Sequence, residues 1–322
     1  MESRAGAFDR AAVIGSGMMG PGIALTLAMG GVAATILSRT AGGAAQGLER
    51  ARAQARFLAA RGLAEPDAAA HAESLLAGSS SFEETVGGAS LVVESVPEDL
   101  QFKQRLFARM DALAPPGAVL ASNTSGLSIT AIARDCTRPE RVLTTHFWNP
   151  AHLMPLVEIV MGRRTAAETA EKVRGILAGC GKTPVIVRQD RPGQLGNRLQ
   201  MALVREAANI IAQGIATAED VDAVIKNGLG LRMPAYGILE HMDVAGLDLA
   251  LRVMEYVVPD LFNEPRAPDS FRELVERGDL GARTGRGFYD WSIKSADEVG
   301  AVRDDFLVEV LRYRARRGRK RP

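Results

Sequence analysis

The sequence predicts an α/β protein: an N-terminal, doubly wound sheet of the Rossmann type, followed by an all-helical C-terminal domain. Three observations lead to this prediction. A short apolar run meets a glycine-rich turn near the N-terminus, strand-like and helix-like segments then alternate as far as residue 188, and only helix-like segments follow. Such alternation is typical of a mostly parallel sheet with helices on both faces.

The first elements read as strand, turn, helix and strand. Residues 11–14 (AAVI) lead into GSGMMG, PGIALTLAMGG has helical length, and VAATILS is a second short apolar run. Residues 44–76 are rich in alanine, arginine and glutamate, which favour helices. GSSSFEETVGGA then predicts a loop with a short helix before the next strand.

The remaining strands follow in order: LVVESV (91–96), AVLASNTS (118–125), RVLTTHF, LVEIVMG and PVIVR (184–188). Helices separate them at DLQFKQRLFARMDALA and at about residues 166–178. After PVIVR, the turn-rich junction DRPGQLGNR leads into segments with helical periodicity. We therefore divide the chain into a dinucleotide-binding domain, residues 1–189, and a helical domain, residues 190–322.

The composition is that of an ordinary globular protein. The 322 residues are 47% hydrophobic, enough for a sizeable core, and no apolar run reaches the length that crosses a bilayer. Residues 1–10 lack the apolar core of a secretion signal, so we expect a cytoplasmic protein without a membrane partner. Cys136 and Cys180 form no CxxC pair, which argues against a zinc site or a disulfide framework.

The basic C-terminus is the main asymmetry in charge. LRYRARRGRKRP contains seven basic residues and no acid, whereas the net charge of the whole chain is +1. Such a tail can contact nucleic acid, an anionic ligand or a partner, or it can be a frayed, solvated terminus. We favour the solvated terminus and expect no binding to nucleic acid.

The turn GSGMMG has the spacing of a dinucleotide-binding motif. Gly15 permits the tight turn, Gly17 lets a pyrophosphate approach the backbone, and Gly20 lets helix and strand pack closely. Met18 and Met19 lie between these glycines. Because the motif follows a strand and precedes a helix, it predicts a cofactor site rather than a turn without a ligand.

The residues after the second strand bear on the choice of cofactor. The strand VAATILS ends at Ser38, and Arg39 and Thr40 follow. An acid here would favour NAD by accepting hydrogen bonds from the ribose, whereas an arginine with small hydroxyls suits a 2′-phosphate. These residues lean towards NADP, but stacking of Arg39 on the adenine would allow either cofactor.

Candidate reactive side chains stand near the ends of successive strands, where ligands bind in such sheets. They are Glu98 after VVESV, Asn123 and Ser125 after AVLAS, and His146 in THFWNP. A histidine can take or return the proton when a hydride moves, and a carboxylate at its far nitrogen stabilises the charged ring. Glu158, in the apolar run LVEIV, is costly to bury without a partner. We predict that His146 and Glu158 form this pair; the alternative is a structural histidine and a rim carboxylate.

Together, these motifs resemble the L-3-hydroxyacyl-CoA dehydrogenase family. GSGMMGPGIA, VVESVPEDLQFK, SNTSGLSIT, HFWNP with PLVEIV, GNR and TGRGFYDW stand in the family's order over nearly the whole chain. The resemblance implies an N-terminal Rossmann domain and a helical C-terminal domain used for dimerisation. It also implies NAD-dependent interconversion of a 3-hydroxy group and a ketone in a small-molecule substrate.

The resemblance also implies roles for individual residues. His146 resembles the family's general base, and Glu158 resembles its orienting carboxylate. Ser125 and Asn197 correspond to the residues that hydrogen-bond the reacting oxygen. Three further residues match positions near the cofactor's ribose and nicotinamide: Glu98, Lys103 and Asn123.

The substrate stays open at this point. Family members that bind coenzyme A use basic residues after the second strand, but residues 40–100 contain no lysine, so arginines have to supply that charge: Arg50, Arg52, Arg56 and Arg61. Relatives of the family act on free hydroxy acids such as carnitine and gulonate, or on pyridine carboxylates, and their motifs look similar. Trp148, His152 and Arg232 are candidates for substrate contact, each with a structural alternative. A catalytically silent dinucleotide-binding protein is the rival of another class.

Overall fold

The computed structural model describes residues 8–318. Their contacts divide them into two compact units, residues 8–198 with 302–318, and residues 199–301. The strands of the first unit are β1 (Arg10–Ile14), β2 (Ala33–Leu37), β3 (Leu76–Ser79), β4 (Leu91–Glu94), β5 (Val119–Ser122), β6 (Val142–Phe147), β7 (Leu156–Met161) and β8 (Thr183–Val187). Its helices before residue 180 are α1 (Gly20–Met29), α2 (Ala41–Ala60), α3 (Pro66–Ser74), α4 (Phe82–Gly87), α5 (Leu100–Leu113), α6 (Ile129–Ile132) and α7 (Ala167–Gly179).

The eight strands form one sheet in the order β3-β2-β1-β4-β5-β6-β7-β8. All neighbouring strands are parallel except β6 and β7, which are antiparallel. The predicted doubly wound, mostly parallel sheet is therefore confirmed. The chain changes direction of winding beside β1 and β4, and in such sheets the carboxyl ends of the strands at that point form the ligand crevice.

The strand β3 was not predicted. It occupies residues assigned from the sequence to the end of a helix and to a loop, and it pairs in parallel with β2, with Ala34 opposite Leu76. Its sequence, LAGS, contains one large apolar side chain, because the strand lies at the sheet edge and is partly exposed. This segment is a strand because it pairs with β2. Its sequence has no alternation of apolar and polar residues that would predict a strand.

The two faces of the sheet bury separate apolar clusters. Along β1, Ala11 and Val13 belong to one cluster, and Ala12 and Ile14 belong to the other. This alternation follows from the two-residue period of a strand. Helices α1, α2 and α7 cover the first cluster, and α5 and α6 cover the second.

A buried ion pair connects α5 to the segment before β6. Asp111 is 2% exposed and Arg141 is 5% exposed, and the guanidinium donates hydrogen bonds of 3.0 and 2.7 Å to Oδ1 of Asp111. Burial alone would raise the pKa of Asp111, but hydrogen bonds from Thr137, Arg141 and Arg138 outweigh it and lower the pKa to about 2.

The second unit is built from helices. They are α8 (Gly196–Ala212), whose first turn lies in the first unit, α9 (Ala218–Val224), α10 (Gly230–Arg232), α11 (Ile238–Ala245), α12 (Leu247–Val257) and α13 (Asp269–Glu276). A π-helical turn, Ile225–Leu229, joins α9 to α10. Of the helices within residues 8–318, none is long and apolar enough to cross a membrane.

The last helix, α14 (Ala296–Gly318), belongs to the first unit from residue 302 onwards. Val308 is buried in the apolar cluster beside α1, and Arg312 donates a hydrogen bond of 2.9 Å to the carbonyl of Arg61. The sequence placed this segment in the helical domain and predicted a frayed terminus. It is instead helical as far as Gly318 and packs on the first unit as far as Arg312, whereas residues 313–317 are exposed. The remaining basic residues, Arg319, Lys320 and Arg321, lie outside the described residues.

Candidate active site

The turn between β1 and α1 has the shape of a dinucleotide cradle. Gly15 has a φ of +117°, and a Cβ there would lie 2.2 Å from the carbonyl oxygen of Ser95. A Cβ on Gly20 would lie 1.8 Å from the carbonyl oxygen of Gly15. At Gly17, in contrast, a Cβ meets nothing within 4 Å. This open space before the N-terminus of α1 fits a pyrophosphate, because the helix dipole and the free N–H groups favour an anion there.

The neighbouring predicted cofactor residues are accessible. Met18 is 76% exposed, whereas Met19 packs partly against the core. At the end of β2, the hydroxyl of Ser38 accepts a hydrogen bond of 3.0 Å from Ser16. Arg39 is exposed, and its guanidinium has no hydrogen-bond or ion-pair partner among residues 8–318. The hydroxyl of Ser38 and the guanidinium of Arg39 therefore lie at the position where the sequence predicts the adenosine ribose.

The structure brings His146 and Glu158 together. They are directly opposite each other in the antiparallel ladder of β6 and β7. Nδ1 of His146 lies 2.8 Å from Oε2 of Glu158, and the two residues are 6% and 1% exposed. The register of two strands thus sets the geometry of the predicted pair.

Glu158 is held by four donors. Trp148 Nε1 donates to the same oxygen as His146, at 3.1 Å, while the backbone N–H groups of Leu195 and Gly196 donate to Oε1 at 2.9 and 2.8 Å. Burial alone would raise the pKa of Glu158, but these hydrogen bonds outweigh it and lower the pKa to about 2. The carboxylate is therefore ionised and fixed at neutral pH.

Trp148 was predicted as a possible wall of the substrate pocket, and its indole N–H instead contacts Glu158. Its ring also requires a glycine at position 196, because a Cβ there would lie 2.4 Å from Cζ2 of Trp148. The start of α8 thus packs closely on the tryptophan. This contact places Trp148 within the histidine–carboxylate unit.

The loop after β5 carries the other predicted residues. The N–H of Ser125 donates to Glu98 at 2.6 Å, and Asn197 donates from Nδ2 to the carbonyl of Ser125 at 2.7 Å. Asn123 accepts a hydrogen bond of 2.9 Å from the N–H of Phe147, which ties the loop to β6. The hydroxyl of Ser125 has no partner among the described residues, and Ser125 is exposed.

Glu94, at the end of β4, was not among the site residues predicted from the sequence. It is 0% exposed, and it accepts hydrogen bonds of 2.7 Å from Lys103, from the N–H of Val96 and from Ser122. The signal was similar to that for Glu158: an acid directly beside a run of apolar residues, here LVV. Its position opposite Ser122 in the parallel ladder gives the carboxylate a partner in the next strand.

Lys103 differs from its prediction as a cofactor contact. Its side chain is 1% exposed, and its ammonium lies 2.7 Å from Glu94 and 3.2 Å from Glu98. Glu98 itself is 44% exposed at the side chain. Lys103 therefore reaches the site through Glu98, whose carboxylate it supports from the buried side.

Two further residues were predicted to contact the substrate, His152 and Arg232. The ring of His152 packs edge-on against Phe57, and burial lowers its pKa to about 4, so the ring is neutral. It lines a cavity that none of the predicted catalytic side chains lines. Arg232 belongs to the second unit and is exposed. Within residues 8–318, no group of three or more His, Cys, Asp or Glu is placed to hold a metal ion.

A dinucleotide cradle and a buried histidine–carboxylate pair, carried by strands of one sheet, define the class of protein as a nicotinamide-dependent oxidoreductase. The chain belongs to the 3-hydroxyacyl-CoA dehydrogenase family. The family's NAD binding domain matches residues 10–191, and its C-terminal domain matches residues 193–291. The family predicted from the motifs is therefore confirmed, as is NAD as its cofactor.

Several curated proteins are similar over most of their length. The 5-formyl-3-hydroxy-2-methylpyridine 4-carboxylate 5-dehydrogenase of Mesorhizobium japonicum is 32% identical over 94% of this chain and 96% of its own. An L-carnitine dehydrogenase from a Pseudomonas species is 37% identical over 93% and 92%. The 3-hydroxybutyryl-CoA dehydrogenase of Clostridioides difficile is 34% identical over 87% and 99%.

Solved structures show the same range of relatives. The crystal structure of a 5-formyl-3-hydroxy-2-methylpyridine 4-carboxylic acid 5-dehydrogenase, described as an NAD⁺-dependent dismutase, has a TM-score of 0.88 and 30% identity, over 95% of this chain and 98% of that one. The (S)-3-hydroxybutyryl-CoA dehydrogenase of Ralstonia eutropha has a TM-score of 0.74 and 30% identity, over 88% and 99%.

Proposed function

We propose that this chain is an NAD-dependent dehydrogenase that interconverts a hydroxyl and a carbonyl group at C3 of an acyl substrate. The observation that carries the proposal is the 2.8 Å contact between His146 and Glu158, both buried, in one sheet with the dinucleotide cradle. The nicotinamide, when bound, accepts or supplies the hydride. The chain's own side chains then have to handle the proton and the charge on oxygen.

His146 is suited to take the hydroxyl proton at Nε2, because Nδ1 is committed to Glu158. The ionised carboxylate keeps the proton of the neutral ring on Nδ1 and stabilises the imidazolium that forms. Asn197 uses one N–H for the carbonyl of Ser125, which leaves its second N–H for the reacting oxygen. The unbonded hydroxyl of Ser125 is the other donor for that oxygen.

We further propose that the cofactor site accepts NADP besides NAD. Arg39 is exposed and unpaired among the described residues, and Ser38 presents a hydroxyl beside Ser16. A guanidinium and hydroxyls at the end of this strand suit a 2′-phosphate. The ratio of kcat/KM for NADP and NAD, compared between the wild type and Arg39→Gln, tests this: the variant is expected to lose NADP turnover selectively.

A second candidate substrate is a free carboxylic acid, such as a hydroxy acid or a pyridine carboxylate. Two of the four arginines available for the phosphates of coenzyme A are already paired with acids: Arg56 with Glu49 and Glu73, and Arg61 with Asp305. A cation that is already paired with an acid stabilises a newly bound anion less than a free cation does. The TM-score of 0.88 to a pyridine-carboxylate dehydrogenase also favours this candidate.

One assay decides between these candidates. Absorbance at 340 nm is followed with NAD and with NADP, using 3-hydroxybutyryl-CoA, L-carnitine and a hydroxymethyl pyridine carboxylate as substrates. Turnover of the thioester supports the first candidate, and turnover of free acids alone supports the second. Dinucleotide binding without turnover of any substrate contradicts both and favours a catalytically silent binding protein.

We also propose that the chain forms a homodimer through its second unit. Leu239, Val244 and Tyr256, on α11 and α12, are 76%, 87% and 87% exposed in the single chain. Large apolar side chains that are this exposed on neighbouring helices are typical of interaction surfaces. Light scattering is expected to give twice the chain mass of 34.3 kDa, and Tyr256→Asp is expected to shift the protein towards the monomer.

A further inference from the structure

The first unit contains a cavity that the proposed reaction does not use. Its volume is about 580 Å³, and it is bounded by α1, the end of α2, the loop 152–155, residues 179–182 and α14. None of the four predicted catalytic side chains lines it. The volume is within the range of small-molecule sites.

Lys182 lies in the wall of this cavity with an incomplete set of partners. Its ammonium donates to the carbonyls of Ala151 and Met154, at 2.6 and 3.0 Å, which leaves one N–H. No carboxylate among residues 8–318 lies within ion-pair distance of it, and Glu65, the acid in the cavity wall, is exposed. Burial lowers the pKa of Lys182 to about 8. A partly buried cation without a counter-charge is stabilised by a bound anion.

His152 supplies a second polar group. Its Nδ1 is buried and has no hydrogen-bond partner. Because a buried N–H without an acceptor is more costly than a lone pair without a donor, the neutral ring favours the proton on Nε2. Because His152 lines the cavity and Nε2 has no hydrogen-bond partner among the described residues, we assign this nitrogen as a donor to the ligand.

Apolar side chains supply about half of the wall. Leucine and methionine side chains come from every bounding segment except residues 179–182: Leu25, Met29, Leu58, Leu63, Leu153 and Leu311. Arg312, a second cation in the wall, already donates to Glu309 and to the carbonyl of Arg61. Lys182 is therefore the wall cation without a carboxylate partner among the described residues, and with one neutral donor it matches a single negative charge on a partly apolar body. A polyphosphate would bring more negative charge than this one unpaired cation balances.

We propose that this cavity is a second binding site, for a small carboxylic acid with an apolar chain, whose carboxylate binds Lys182 and His152. Lys182 also holds two carbonyls of the loop that follows Trp148. An occupant of the cavity would therefore contact the residue that fixes this loop.

Isothermal titration calorimetry of the full-length chain with octanoate tests the proposal, with octylamine as the matched cationic probe. We expect octanoate to bind at least tenfold more tightly than octylamine. Lys182→Met and Ala315→Trp are expected to weaken octanoate binding at least tenfold, the first by removing the cation and the second by filling the cavity from α14. Arg316→Trp, on the same helix but outside the cavity wall, is the control and should bind as the wild type does.

NADH affinity, measured on the same samples, reports whether each variant is folded and does not depend on the substrate of the dehydrogenase. Absence of octanoate binding at millimolar concentration would overturn the proposal. Unchanged octanoate binding in Ala315→Trp would also overturn the proposal. This outcome does not depend on whether Lys182→Met disturbs the loop that Lys182 holds.

Discussion

His146 and Glu158 face each other across two antiparallel strands, and their side chains meet at 2.8 Å while both are almost fully buried. Ladder hydrogen bonds on both strands fix their relative positions more firmly than a loop would. The four donors around Glu158 then prevent the carboxylate from turning away. This preorganised pair is the basis for the proposed proton transfer.

Trp148→Phe tests whether the indole N–H belongs to this pair. The substitution keeps an aromatic ring against Gly196 and removes one hydrogen bond to Glu158. A hydrogen bond to a charged group contributes about 1.5–3 kcal/mol, so we expect kcat to fall by roughly 10- to 100-fold. NADH affinity should not change. Trp291→Phe, in the second unit, is the control, and wild-type kcat in Trp148→Phe would refute the role.

Glu94→Ala tests the buried carboxylate beneath Glu98. The substitution leaves the ammonium of Lys103 buried with only the more distant Glu98 to balance it. Breaking a buried pair in this way costs about 3–5 kcal/mol of unfolding free energy. Urea denaturation measures the loss. Glu83→Ala, which breaks the exposed pair with Arg109, is the control and should change stability little. Equal effects of the two substitutions would show that Glu94 is no more important than a surface acid.

We expect substitution of Gly17 to affect cofactor binding and substitution of Gly15 to affect the stability of the fold. Gly17→Ala should leave thermal unfolding unchanged, since a Cβ there meets no protein atom, but weaken NADH binding at least tenfold. Gly15→Ala should lower the unfolding temperature, because its φ of +117° and the nearby Ser95 carbonyl exclude a side chain. Thermal scans and NADH fluorescence separate the two. Tight NADH binding by Gly17→Ala would contradict a pyrophosphate at this position.

The Asp111–Arg141 pair predicts how stability depends on pH. The pKa of Asp111 is lowered to about 2 in the folded chain from an ordinary value of 3.8. Its contribution is therefore complete above about pH 4 and is lost as the pH falls through about 2. Urea denaturation should show Asp111→Asn to be less stable than the wild type at pH 7, with the difference shrinking towards pH 2. A constant difference would mean that the charge is not responsible.

Much of the site follows from periodicity and motifs. The βαβ unit predicted the cradle, and an acid inside LVEIV predicted that Glu158 had a buried partner. The pairing of His146 with Glu158 needs only the register of two neighbouring strands. The local sequence pattern is sufficient to predict a site residue when that residue lies within a predicted strand.

Other features depend on contacts between distant segments. The partners of Lys103 come from the end of β4 and the turn after it, and the partner of Trp148 comes from β7, so neither role can be read from local spacing. β3 has no apolar run because it lies at a sheet edge. In α14, the apolar residues Val308 and Leu311 precede the basic end of the helix. Only their contacts with the apolar cluster show that they form its packing surface.

Single-turnover kinetics of His146→Ala test the central claim most directly. The variant is combined with NADH and each keto substrate that the wild type turns over, and the decay of NADH is followed by stopped flow. We expect NADH to bind with wild-type affinity while hydride transfer slows by at least 100-fold, because the variant lacks the imidazole that we propose carries the proton. Hydride transfer at the wild-type rate would contradict the assignment of His146 as the proton carrier.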